Sequence, residues 1–99
     1  MKFTNDNGTL TVFLSGDIDH HTARPMREKT DERIMRDRPG ELVLDFTGVT
    51  FMDSSGVGLV MGRYKYAAAH GCKTAVKGLK ERDKRIMLMS GLAKLVEFR

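Results

Sequence analysis

The chain has 99 residues, 40% of them hydrophobic and 30% charged, a composition that fits one domain with a single modest core and excludes disorder. No apolar run approaches a membrane span, the start Met1-Lys2-Phe3-Thr4-Asn5-Asp6 has no apolar signal core, and one cysteine, Cys72, excludes an internal disulfide framework; together these imply a cytoplasmic protein. Seventeen Lys and Arg against thirteen Asp and Glu give a net charge of +4, but Arg24, Arg27, Lys29, Arg33, Arg36 and Arg38 alternate with Glu28, Asp31, Glu32 and Asp37 rather than forming the one-sided stripe of a nucleic-acid reader.

A short strand around Phe3 opens the pattern. Asn5-Asp6-Asn7-Gly8 is hairpin chemistry, since Asn and Gly tolerate positive φ. Leu10, Val12 and Leu14 then alternate with Thr9, Thr11, Phe13 and Ser15, which predicts a strand antiparallel to the first. Residues 16–21 read as a loop. A helix follows from Thr22 to about Arg38, with Pro25 in its first turn and Pro39-Gly40 as its stop. Its apolar stripe, Ala23, Met26, Thr30 and Ile34, is narrow.

Glu41 to Phe46 reads as a short strand whose continuous apolar centre suits a central position covered on both faces. A loop over Thr47–Ser54 leads to a second helix from Ser55 to His70, stopped at Gly71, with Val57, Val60, Met61, Tyr64 and Ala68 sharing a face. A strand around Thr74-Ala75-Val76, a third helix from Leu79 to Met89 and a last strand from Leu95 to Phe98 complete the chain. The order β-β-α-β-α-β-α-β implies an α/β protein, a single domain over 1–99, with a mixed sheet of four to five strands packed against helices. In such sheets functional loops gather at the carboxyl ends of strands, here residues 17–21 and 47–54.

The segment Thr50-Phe51-Met52-Asp53-Ser54-Ser55-Gly56-Val57-Gly58 is the most informative. Asp53, Ser54 and Ser55 are all good N-caps, more than one helix end needs. Gly56, Gly58 and Gly62 follow inside the helix at about 1 kcal/mol each relative to Ala, and side-chain-free positions let another backbone approach. Phe51 and Met52 put two large apolar groups at an expected surface loop. A nucleophile reading, Ser54 with His20 or His21 as base and Asp17 or Asp19 as orienter, lacks the G-x-S-x-G elbow. His20, His21, His70 and Cys72 match no metal-ligand spacing, and no Walker loop or Rossmann fingerprint is present.

Leu14-Ser15-Gly16-Asp17-Ile18-Asp19-His20-His21-Thr22-Ala23, the Phe51 to Gly58 run continuing through Gly62-Arg63-Tyr64-Lys65, and Met89-Ser90-Gly91-Leu92 stand in one order and spacing. In them the chain resembles the STAS family of bacterial anti-sigma factor antagonists, most of all its sporulation members in endospore-forming bacteria. The resemblance implies a STAS-type fold and a protein that is not an enzyme. It implies binding to an anti-sigma factor that is also a serine kinase, release of a sigma factor, phosphorylation at Ser54 that ends the binding, and reactivation by a PP2C-type phosphatase. ATP and Mg would belong to the kinase, so no cofactor or metal is expected on this chain, nor DNA or membrane contact. The implied contact surface comprises Asp17, Asp19, His20, His21, Met52, Asp53, Ser54, Ser55, Gly56 and Gly58, with Ser54 exposed and the Ser55 hydroxyl engaged in capping. Two departures from the family are the absence of a further C-terminal helix after Phe98-Arg99 and a more basic stretch from Gly78 to Leu88. The competing reading is a nucleotide- or nucleic-acid-binding protein that uses the basic surface.

Overall fold

The computed structural model describes all 99 residues. The chain begins with β1 (Lys2–Asp6), which turns through Asn7 and Gly8 at φ 51° and 86° into β2 (Thr9–Ile18). Asp6 faces Thr9 across this two-residue turn and the strands are antiparallel, as the Asn-Gly chemistry predicts. Then follow α1 (His20–Asp37), β3 (Glu41–Met52), α2 (Ser55–Ala69), β4 (Lys73–Lys77), α3 (Glu81–Met89), a 3₁₀ turn at Leu92–Lys94 and β5 (Glu97–Phe98). The five strands lie in chain order in one mixed sheet, β2 through β5 all parallel. The element order matches the sequence reading, and a turn and a two-residue strand, not a helix, follow α3.

That topology explains where the core sits. Each parallel step moves the same way across the sheet, so right-handed crossovers place every helix on the same face. The core accordingly gathers Leu10, Val12, Leu14 and Ile18 of β2 with Leu42, Leu44 and Phe46 of β3 and residues of all three helices. β3 is central, but its predicted cover on both faces is not helical. Val43 of β3 and Ala75 of β4 pair with each other and are buried on the far face, while Phe13 on β2 stays half-exposed there.

Several boundaries differ from the sequence reading, among them the starts of α3, at Glu81 rather than Leu79, and of β5, at Glu97 rather than Leu95. β2 and β3 do not stop at Ser15 and Phe46: the two continue as a paired ribbon, Ser15 opposite Gly48, Gly16 opposite Val49, Asp17 opposite Phe51 and Ile18 opposite Met52. Register shifts between Phe13 and Ser15 and between Gly16 and Asp17 break the alternation, and a bulge of this kind erases the period-2 signal on which a strand is recognised. The expected loop over 47–54 is therefore mostly strand, and the one over 16–21 is half strand, with His20 and His21 already helical. α1 starts two residues early, at His20, which makes Pro25 its sixth residue. In α2 the buried stripe is Gly56, Leu59, Val60, Arg63 and Ala67; of the expected face, Val60 is buried, Val57, Met61 and Tyr64 are partly buried against the core, and Ala68 is exposed. The stripe was hidden because Arg63, a charged residue, lies in it.

Candidate functional site

The β2–β3 ribbon delivers two helix starts to the same edge. Asp53 N–H still bonds to the Ile18 carbonyl at 3.2 Å, so the residues just before α1 and just before α2 are joined by the last rung of the ladder.

At the first start, Asp19 is the N-cap, with extended backbone torsions. Its Oδ1 accepts the N–H groups of His21 at 2.9 Å and Thr22 at 3.0 Å. The Asp19 N–H in turn donates to Thr22 Oγ1 at 2.9 Å, which completes a capping box. Thr22 Oγ1 donates to the Asp17 carbonyl at 2.8 Å, and Asp17 Oδ1 accepts from Thr50 Oγ1 of β3 at 2.8 Å. The backbone bond from Thr22 is the main cause that holds the Asp19 carboxyl below its ordinary value of 3.8. Both predicted acidic residues are thus used by the scaffold. His20 and His21, expected in a loop, are the first helical residues and are exposed.

The second start is built differently. Ser54 is the N-cap of α2, but its torsions are already helical, φ −62° and ψ −14°, and its side chain makes no capping bond. Asp53 supplies that function instead, with Oδ1 accepting the Ser55 N–H at 2.7 Å. The expectation that the Ser55 hydroxyl does the capping is corrected by this bond: a carboxylate one residue upstream of Ser54 reaches the free N–H first. Ser54 is exposed, Ser55 half-buried.

Met52 and Gly56 lie beneath this surface rather than on it. Met52 is fully buried, and a Cβ on Gly56 would overlap Met52 Cγ and Sδ. Gly56 is therefore a packing residue that lets α2 seat on the end of β3. Gly58 is the opposite case, since a Cβ there meets nothing within 4 Å. Phe51 does remain at the surface, 47% exposed.

Several participants escaped the sequence reading. Arg82 of α3 places its guanidinium 5.7 Å from the Phe51 ring centroid and donates to the Met52 carbonyl at 3.2 Å. Lys80 donates to the Val49 carbonyl. The basic stretch around α3 is thus partly spent bracing the end of β3. Arg63 of α2 pairs with Asp31 of α1 at 2.6 Å, with side-chain exposures of 7% and 24%. Burial lowers the Arg63 pKa and the Asp31 charge opposes the shift. None of these carried a readable local signal, because each partner is distant in sequence, unlike the Asp19-x-x-Thr22 spacing of the α1 cap.

Between the first turns of α1 and α2 lies an open groove of about 490 Å³. Its rim carries His20, His21, Arg24 and Arg27, and Ser55, Gly58, Leu59 and Arg63 belong to its lining.

The arrangement does not assemble a nucleophile–base pair. The Asp19 carboxylate bonds backbone N–H groups rather than an imidazole, and the His20 and His21 rings pack edge to face on each other, centroids 5.4 Å apart. His70 Nδ1 lies 2.8 Å from the Tyr66 carbonyl. Cys72 is buried, and that burial pushes its thiol up to about 11. No three His, Cys, Asp or Glu side chains converge to hold a metal, and no helix is long and apolar enough to cross a membrane.

The STAS domain profile matches residues 1–99. The chain belongs to the STAS domain family. Among its relatives, the anti-sigma F factor antagonist of Paenibacillus polymyxa is 38% identical over 96 residues, covering 97% of this chain and 82% of that protein. The fold is similar to the anti-sigma factor antagonist SpoIIAA in its unphosphorylated form, with a TM-score of 0.80 and 28% identity over 99% of this chain and 88% of the other. It is also similar to phosphorylated SpoIIAA of Bacillus, with a TM-score of 0.73 and 28% identity over 99% and 91%. Such STAS proteins are regulators that act by binding, not enzymes. The sequence-based family assignment and STAS-type fold agree with these findings.

Proposed function

We propose that this STAS domain is an anti-sigma factor antagonist: it binds an anti-sigma factor that is also a serine kinase, and so frees a sigma factor. Phosphorylation of Ser54 ends the binding and a PP2C-type phosphatase restores it. The observation that carries the reading is the state of Ser54. An exposed hydroxyl stands at a helix start, and the capping work that would occupy it is done by Asp53. A hydroxyl without a local bond is available for transfer of a phosphoryl group from ATP held by the kinase. The phosphoester that results lies near free N–H groups and the positive end of the α2 dipole, which tolerate its charge. The domain stays folded and the effect falls on the interface.

The names of the relatives and the existence of phosphorylated SpoIIAA support this assignment. The docking surface runs from Asp17, Asp19, His20 and His21 across to Asp53, Ser54, Ser55 and Gly58. Met52 and Gly56 shape it from below. ATP and Mg are the kinase's, and the domain carries no cofactor of its own. Incubation with the anti-sigma factor of the same organism and ATP, followed by peptide mass spectrometry, tests the reading. A phosphate on Ser54 is expected; absence of both complex and phosphate contradicts it.

A further inference from the structure

We infer that the groove between α1 and α2 is the seat for an acidic segment of the protein partner, and that this segment is what a phosphate on Ser54 displaces. The inference rests on the docking reading above and names the chemistry of the surface that meets it.

The groove is cationic and no carboxylate lines it. Two of its arginines have partners outside: Arg24 pairs with Glu28 at 3.0 Å and Arg63 with Asp31 at 2.6 Å. Arg27 takes part in none of the ion pairs of the chain. Arg27 also bears on Arg63, where its like charge adds to burial in lowering the Arg63 pKa. An anion entering the groove would therefore meet Arg27 as an exposed cation without an ion-pair partner. Both helices point their N-terminal, positive ends at the same place, with His20 and His21 in the first turn of α1 and Ser55 as the first residue of α2.

Shape selects protein over nucleotide. No Phe, Tyr or Trp lines the groove, and its two imidazoles, His20 and His21, pack edge to face on each other rather than as an open platform for a base. Its α2 side is bare at Gly58, where nothing lies within 4 Å of a Cβ, and Gly62, one turn further along α2 and outside the lining, is equally open. Packing inside the domain does not require either glycine, yet each costs the helix about 1 kcal/mol relative to Ala. A partner backbone approaching along that flank accounts for both, with Asp or Glu side chains reaching Arg24 and Arg27.

The same geometry explains the switch. Ser54 adjoins Ser55 at the mouth of the groove. A phosphoryl group brings about −1.5 to −2 charges there, so it competes for the same cations and repels the partner's carboxylates.

The test is an amide-resolved NMR titration of the whole domain with an acetylated oligoglutamate peptide, repeated with ATP. Saturable shifts at Ala23, Arg27, Ser55, Gly58 and Leu59, weakened about tenfold in Arg24→Glu/Arg27→Glu, support the inference. No shift at these amides overturns it. So does ATP that moves the same amides at lower concentration than the peptide, since the groove is then a nucleotide site. Binding to the anti-sigma factor separates the two claims. If wild type binds and Arg24→Glu/Arg27→Glu binds equally well, the groove inference falls and the antagonist reading stands. If wild type does not bind at all while the peptide shifts persist, the antagonist reading falls. An unchanged far-ultraviolet circular dichroism spectrum verifies that the doubly substituted domain is folded, as expected for exposed side chains.

Discussion

Two helices begin side by side at the end of the β2–β3 ribbon, and their free N–H groups are met in different ways. At α1 a carboxylate and a hydroxyl close a reciprocal box, and Asp17 and Thr50 lock that box to β3. At α2 the cap residue itself is idle: Asp53 bonds to the Ser55 N–H, and Ser54 keeps its hydroxyl. The difference teaches which polar residues are scaffold and which are site. A side chain that satisfies backbone N–H groups is held in place and is chemically occupied. One relieved of that duty is free for modification. By this criterion the Asp-rich start of α1 is scaffold, and the Ser-rich start of α2 carries the hydroxyl left free of capping.

The comparison depends on the two starts being held together, and Arg63–Asp31 is the tie between their helices. Asp31→Ala leaves a nearly buried guanidinium unpaired and is expected to lower stability by about 2–3 kcal/mol, read from urea denaturation midpoints. A loss under about 0.5 kcal/mol, the scale of an ordinary surface change, would show that the tie is dispensable.

Next in size are the glycines of α2. Gly56→Ala pushes a methyl into Met52 and is expected to cost about 1–3 kcal/mol. Gly58→Ala meets empty space and is expected to stabilise the free domain by up to about 1 kcal/mol, while it weakens docking. Thermal unfolding of the two variants distinguishes them by sign. Equal destabilisation would mean that both glycines serve packing.

The cap of α1 predicts a pH dependence. Asp19 has its carboxyl lowered from 3.8 by bonds to the N–H groups of the first turn. A folded-state pKa below the unfolded one adds stability above the unfolded value, and that stability is lost as pH falls through the folded value. The gap in melting temperature between wild type and Asp19→Ala should therefore be full at neutral pH and narrow below pH 3.8. A gap constant across that range would mean that the charge of Asp19 does not matter to the cap. Smallest of all, Ser54→Ala removes a hydroxyl with no cap bond and should leave stability within about 0.5 kcal/mol. A larger loss would show Ser54 to be a working cap and would erase the contrast between the two helix starts.

Much of this was legible in the residues. Alternation over Leu10, Val12 and Leu14, the Asn7-Gly8 turn, and the stop at Gly71 each act through local backbone chemistry, and each reappears in the structure. The ends of β2 and β3 were not legible, because a bulged ribbon carrying Gly16, Gly48 and Thr50 has the composition of a loop. Its pairing partner lies about thirty residues away in sequence, where no local window reaches. Arg63 was unreadable for a related reason. A buried charge needs its partner to be seen, and Asp31 sits on another helix. At the site itself, the Asp53-Ser54-Ser55 run identified the place but not the division of labour, which depends on which oxygen reaches the Ser55 N–H.

The adjacent serines allow that division of labour to be tested directly. Wild type, Ser54→Ala and Ser55→Ala are incubated with the anti-sigma kinase and ATP, and the phosphorylated residue is located by mass spectrometry. Phosphate is expected on Ser54 in wild type, nowhere in Ser54→Ala, and still on Ser54 in Ser55→Ala. Labelling that survives in Ser54→Ala and vanishes in Ser55→Ala would contradict it.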